Sequence, residues 1–114
     1  MLNECRTEDQ FEKLLEESEK RPFLLLKHST ACPISRMANE AFTRYAGSKD
    51  SIECWKVLVI EDRPVSLHIA EKTGIRHQSP QVILFANGRP VCNASHYSIT
   101  EENLAKACSE YISR

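Results

Sequence analysis

The sequence lacks a long apolar segment and an excess of charge of either sign. Its longest apolar run, Phe23 to Leu26, is far too short to cross a bilayer. The N-terminus is polar through Gln10 and shows no apolar signal segment. With 15 basic and 16 acidic residues, the formal net charge is −1, so no strong field attracts nucleic acid or an anionic membrane. We therefore expect a cytoplasmic protein that binds neither.

The sequence also lacks a Cys-x-x-Cys pair and the Cys/His spacing of a zinc site. An odd number of widely spaced cysteines does not favour a disulfide framework, and the cytoplasm keeps thiols reduced. We expect no metal site, and a reactive thiol has to be identified by its surroundings. The five cysteines are Cys5, Cys32, Cys54, Cys92 and Cys108, and the four histidines, His28, His68, His77 and His96, show no ligand spacing either.

Hydrophobic periodicity predicts alternating helices and strands in a chain of 114 residues, the length of one domain over 1–114. Thr7 and Gln10 form a capping-box pattern, and Asn87-Gly88 is a strong hairpin signal. The order predicts an α/β fold with a four-stranded mixed sheet flanked by helices. We predict helices over 8–19, from Pro33 to Gly47, from Pro64 to Thr73-Gly74 and from Thr100 onward, and strands over 23–28, 53–60, 81–85 and 91–94.

Cys32 follows a predicted buried strand and stands at the start of the clearest helix, with Pro33 next. Unpaired N–H groups and the positive end of the helix dipole favour an anion there, which predicts a stabilised thiolate able to attack disulfides. Ser35 lies one turn further along, where its hydroxyl is expected to reach the sulfur but cannot form a disulfide. The alternative from position alone is that Cys32 merely caps the helix or fills space beside the sheet.

Ser79-Pro80 comes directly before the strand at 81–85. About 5–6% of X-Pro bonds in folded proteins are cis, so the residues alone favour an ordinary trans proline at a strand start. Cys54 and Cys108 lie on apolar faces and are expected to be structural. Cys92, near a sheet edge, and Cys5, in a terminus expected to be mobile, remain candidates for an accessory thiol.

The order of elements and motifs resembles the thioredoxin superfamily over nearly the whole chain. That order is strand, Cys32-Pro33-Ile34-Ser35, helix, strand, helix, Ser79-Pro80, strand, Asn87-Gly88, strand and helix. The stretch from Lys27 to Ser35 and the downstream His77-Gln78-Ser79-Pro80-Gln81 resemble, more narrowly, the YtxJ-like monothiol bacilliredoxins. A threonine commonly precedes the cysteine in that family, whereas Ala31 stands there in this chain.

The resemblance implies that Cys32 is the catalytic nucleophile and Pro80 a cis-proline facing its sulfur. It implies that the backbone of Ser79 holds an extended thiol substrate. The expected clients are proteins carrying bacillithiol as a mixed disulfide. Cys32 takes the bacillithiol, and a second low-molecular-weight thiol clears it, so bacillithiol is a co-substrate and no resident cofactor is expected. The implied substrate-binding residues are Thr30, Ala31, Pro33, Ser35, Ser79 and Pro80.

Three other functions remain to be compared with this one. A dithiol thioredoxin is disfavoured because Ser35 occupies the place of its resolving cysteine. A monothiol glutaredoxin-like iron–sulfur carrier shows Cys-Gly-Phe-Ser and a later Gly-Gly pair, and neither is present here. A thioredoxin-like adaptor without chemistry keeps the same fold, because fold alone does not establish function.

Overall fold

The computed structural model describes residues 2–112, which form a five-stranded mixed sheet with α-helices on both faces. The predicted alternation of helices and strands is confirmed, with shifts of a few residues at several ends. The elements are β1 (Leu2–Glu4), α1 (Glu8–Glu17), β2 (Phe23–His28), α2 (Pro33–Ala46), β3 (Glu53–Leu58), α3 (Arg63–Thr73), β4 (Gln81–Ala86), β5 (Arg89–Ser95) and α4 (Glu101–Cys108), with 3₁₀ turns at His96–Ser98 and Ser109–Tyr111.

The strand order in the sheet is β1-β3-β2-β4-β5. β3 pairs in parallel with β1 and β2, whereas β4 is antiparallel to both β2 and β5. The prediction of a four-stranded sheet therefore missed one strand, β1. The three residues of β1 are too few to show a period, and this strand exists through its pairing with β3, where Leu2 is opposite Cys54.

Cys5 directly follows β1 and is not in a mobile terminus, as the sequence led us to expect. Its N–H donates to the carbonyl of Lys56 at 2.8 Å, and its side chain has no exposed surface. It packs in the same apolar cluster as Phe11 and Phe23. The expectation failed because the sequence does not show that β1 pairs with β3 and carries the next residue into the core.

The two faces of the sheet bury separate apolar cores. Leu24 and Leu26 of β2 pack with side chains of α2 and α4, whereas Phe23 and Leu25 pack with side chains of α1 and α3. This division follows from the alternation of side chains along a strand. All six residues of β2 and all six of β4 are buried, so the two central strands are covered on both faces.

The predicted caps and turns are present. Thr7 and Gln10 form a reciprocal capping box at the start of α1, and the Thr100 hydroxyl caps α4 by accepting from the Asn103 N–H. Asn87 and Gly88 both have positive φ, as a tight β4–β5 hairpin turn requires. The backbone of this turn is further held by Ser18, whose carbonyl and hydroxyl accept its two N–H groups.

Lys27 is a charged residue enclosed in the core on the α1/α3 side of β2. Its Nζ lies 3.2 Å from Nδ1 of His77, which also lies 3.1 Å from the Ser66 hydroxyl of α3. The cross-strand partner Gln81 is equally enclosed, and its Oε1 has no hydrogen-bond partner among the described residues. Burial disfavours the ammonium form and lowers the pKa of Lys27 to about 8.

We expect Lys27→Met to raise the free energy of unfolding at pH 7 by on the order of 2 kcal/mol, because methionine fills similar space without a buried charge. Lysine titrates near 10.5 when unfolded and near 8 when folded. Between these values the unfolded chain binds more protons, so the parent gains stability as pH rises and the advantage of the variant shrinks.

Urea unfolding of both proteins at pH 7 and pH 10 measures this difference. The cysteines are common to both proteins, so their titration cancels. An advantage of equal size at both pH values would contradict the prediction.

Candidate active site

Cys32 occupies the N-cap of α2, at the end of the loop that leaves β2. Its N–H donates to the Ser29 carbonyl at 3.3 Å, and its own carbonyl accepts the N–H of Arg36 at 3.1 Å. Pro33 takes the first helical position, and the first turn of the helix contains no acidic residue. The sulfur is therefore at the positive end of a 14-residue helix, a position that favours negative charge.

A cleft of about 260 Å³ opens beside this sulfur. Thr30, Ala31 and Pro33, predicted as substrate-binding residues, line it together with Cys32. The exposed Arg36 supplies the one fixed positive charge in the lining. An anionic sulfur or ligand is thus favoured in the cleft both by Arg36 and by the end of α2.

Ser35 lies beneath the cleft and is fully buried. Its Oγ accepts the Ser29 N–H at 2.9 Å and lies 2.7 Å from Nδ1 of His28. Among the described residues the Cys32 sulfur makes no hydrogen bond to this hydroxyl, so the expectation that Ser35 reaches the sulfur is wrong. The hydroxyl is instead committed to the loop backbone and to His28, and Ser35 does not line the cleft.

His28 is the residue of this site that the sequence analysis missed. It ends β2, lines the Cys32 cleft and is 7% exposed. Burial lowers the pKa of His28, the nearby Lys56 adds to that effect, and Glu61 opposes it. A signal was available in the sequence, because the polar pair Lys27-His28 ends the otherwise apolar strand that leads to Cys32.

The Ser79-Pro80 peptide bond is cis. Gln81 pairs with Lys27, so this bond and the Cys32 loop lie at the same end of the sheet. Pro80 is buried and its carbonyl accepts the His96 N–H at 3.1 Å, while the Ser79 hydroxyl is buried without a partner among residues 2–112. Neither Ser79 nor Pro80 lines the cleft around Cys32. Their predicted contact with an extended substrate remains a prediction.

Comparison with known proteins assigns this chain to a family. The family model described as "Monothiol bacilliredoxin BrxC" matches residues 3–104. The chain belongs to the monothiol bacilliredoxin family. One solved structure, described as a candidate oxidoreductase with a thioredoxin fold, is 36% identical with a TM-score of 0.84, and the match covers 93% of this chain and 92% of that one. The bacilliredoxin family and this neighbour support a thiol redox function.

Two thioredoxins show the same fold at lower identity. The Malassezia sympodialis thioredoxin is 20% identical with a TM-score of 0.77, covering 97% of this chain and 90% of the other. The Schistosoma mansoni thioredoxin is 22% identical with a TM-score of 0.76, covering 97% and 98%. The predicted thioredoxin fold of this bacilliredoxin-family chain is thereby confirmed.

The other four cysteines have surroundings that disfavour a thiolate. Burial raises the pKa of Cys5 to about 11 and that of Cys54 to about 12, and it also raises the pKa of Cys108, while partial desolvation raises that of Cys92. Cys5, Cys54 and Cys108 are fully buried, whereas Cys92 is exposed on β5. The expected structural placement of Cys54 and Cys108 is confirmed. Of the two accessory thiols considered, Cys92 alone is accessible.

Among residues 2–112, no group of three or more histidine, cysteine, aspartate or glutamate side chains is arranged to hold a metal ion. No described helix is both long and apolar enough to span a bilayer.

We expect limiting iodoacetamide at pH 7 to modify Cys32 before any other cysteine. The thiolate is the nucleophile, and burial of Cys5, Cys54 and Cys108 and partial desolvation of the exposed Cys92 raise the pKa values of these four thiols. Peptide mass spectrometry over time gives the rate at each cysteine, and Cys32→Ser serves as the control that loses the fast phase. Faster labelling of Cys92 than of Cys32 would contradict this assignment.

Proposed function

We propose that this protein removes bacillithiol from mixed disulfides of client proteins through Cys32 alone. The observation that supports the proposal is that Cys32 is the one cysteine lining the cleft at the start of α2, while Ser35 stands where a resolving cysteine would be. A monothiol exchange needs an accessible thiolate and no second protein thiol. The proposal is supported by the lining of the cleft, which includes Cys32 and no other cysteine.

The first step is a thiol–disulfide exchange at the bacillithiol sulfur. The Cys32 thiolate attacks that sulfur, a new bond forms between the two, and the bond to the client sulfur breaks. The client leaves as a thiolate and takes a proton from water. Bacillithiol is then carried by Cys32, with no net oxidation or reduction.

The second step regenerates the enzyme with a low-molecular-weight thiol from solution. Its thiolate attacks the bacillithiol sulfur of the mixed disulfide, and the Cys32 thiolate leaves. When this thiol is bacillithiol, the product is its symmetric disulfide. No resident cofactor is required, and bacillithiol acts as a co-substrate in the reducing cytoplasm, where we propose the protein works.

An internal resolving thiol has poor access to Cys32. A disulfide needs the two Cα atoms within about 7 Å of each other, and three of the other cysteines are buried in the core. Cys5 is held in place by its backbone bond to Lys56, and Cys54 and Cys108 pack in the core on the α2/α4 face. Cys92 is the remaining candidate.

We expect a variant that keeps Cys32 alone to remove bacillithiol at a near-parent rate. The buried Cys5, Cys54 and Cys108 are changed to alanine, which avoids placing a hydroxyl in the core, and the exposed Cys92 is changed to serine. The assay follows release of bacillithiol from a model client protein by mass spectrometry, with bacillithiol present as reductant. Circular dichroism at the assay temperature verifies that the variant is folded.

Two controls separate the alternatives. Cys32→Ser abolishes turnover if Cys32 is the nucleophile, whereas an adaptor without chemistry is inactive already as the parent. Cys92→Ser alone tests the one accessible thiol without disturbing the core. A large loss of rate in Cys92→Ser, with a Cys32–Cys92 disulfide detectable in the parent, would replace the proposal with a two-cysteine mechanism.

A further inference from the structure

The hydrogen bonds around Ser35 fix the direction of its proton. The Ser35 oxygen accepts the Ser29 N–H, and among the described residues the acceptor available to its own O–H is Nδ1 of His28, 2.7 Å away. A hydroxyl carries one donor and two acceptor sites, so this arrangement satisfies a fully buried group. In the opposite direction, with Nδ1–H donating, the Ser35 proton would be left without an acceptor.

This direction selects one form of the imidazole. With Nδ1 accepting, the neutral ring carries its proton on Nε2. The charged groups that face His28 are Lys56 of β3 and Glu61 in the loop after β3, and they act in opposite directions on its ionisation. Burial is the larger influence and favours the neutral ring, which lowers the pKa of His28.

The Nε2 edge of the ring is available to the cleft. His28 lines the cleft, and its Nδ1 edge is turned to the buried Ser35. Nε2 has no hydrogen-bond partner among residues 2–112. It is also not one of the fully buried side-chain atoms that lack a partner. A polar N–H in the cleft that Cys32 also lines is free to bond to a group that enters the cleft.

We propose that His28 is a catalytic hydrogen-bond donor in the Cys32 cleft and that Ser35 is the positioning residue that holds its Nε2–H toward the reacting sulfurs. The inference rests on thiol–disulfide exchange at Cys32, as in the proposed function, and adds a group to it. During exchange one negative charge is spread over the attacking, central and leaving sulfurs. A donor preorganised for that charge stabilises the transition state, and no proton leaves the imidazole.

The test compares two reactions of the same thiol. Bis(2-hydroxyethyl) disulfide accepts attack by Cys32, and 2-hydroxyethanethiolate leaves and is protonated by water. Iodoacetamide reports the reactivity of Cys32 toward a carbon centre. Because neither probe is bacillithiol, a failure of the proposed client specificity does not alter the result. Both second-order rate constants are measured at pH 7 by intact-mass spectrometry.

We expect His28→Phe to slow exchange on the order of ten-fold, because a hydrogen bond to a charged group is lost. Alkylation of Cys32 should change by less than about two-fold, since no charged sulfur leaves in that reaction. His28→Gln keeps an N–H donor and should restore most of the exchange rate. Equal slowing of both reactions, or an unchanged exchange rate in His28→Phe, would overturn the proposal.

Ser35→Ala and Ser66→Ala form a matched pair that tests the positioning role. Each removes a buried hydroxyl that lies close to the Nδ1 of a histidine, His28 in one case and His77 in the other. We expect Ser35→Ala to slow exchange by about three-fold or more and Ser66→Ala to leave it unchanged. Equal rates for both variants would remove Ser35 from the mechanism.

Two-bond ¹H–¹⁵N correlation spectra of the histidine rings report the tautomer of each ring. A purely structural role of Ser35 would leave the tautomer of His28 unchanged. In the parent, His28 should show the Nε2–H tautomer, and in Ser35→Ala a mixture of tautomers. This measurement holds even if His28→Phe fails to fold, which thermal unfolding will reveal. The Nδ1–H tautomer in the parent would contradict the proposal directly.

Discussion

The structure depends on the hydrogen bonding of β2 along both of its edges. This strand is paired over its whole length with β3 and over five residues with β4, and helices cover both of its faces. A strand held on four sides has little freedom, so the point where it ends is fixed. The short loop from His28 to Cys32 begins at that point, and the mouth of α2 follows. The position of Cys32 is therefore determined by the central strand of the sheet.

The elements that the sequence predicts well carry their signal locally. The apolar run of β2, the helical spacing of α2, the Thr7 capping box and the Asn87-Gly88 turn each depend on neighbours within a few residues. The position of Cys32 was predictable for the same reason, because Pro33 and the preceding strand define the start of the helix.

The features that escaped prediction depend on partners distant in sequence or on residues in uncommon surroundings. β1 is a strand because β3 lies beside it, and Cys5 is buried as a consequence. Lysine and serine are mostly exposed in proteins, yet Lys27 and Ser35 have no exposed surface. The bond between His28 and Ser35 joins residues seven apart across a change from strand to helix, and no periodicity indicates it.

The two outer strands have a further consequence for the proposed action on client chains. An unpaired strand edge is a template for pairing with foreign segments. Here one outer strand, β1, is three residues long, and the other, β5, carries Pro90, which has no N–H to offer, beside a register shift at Leu84/Phe85 of β4. Both edges are therefore poor templates. Under the proposed function, a client chain would find a cleft for its sulfur and little opportunity to pair with the edges of the sheet.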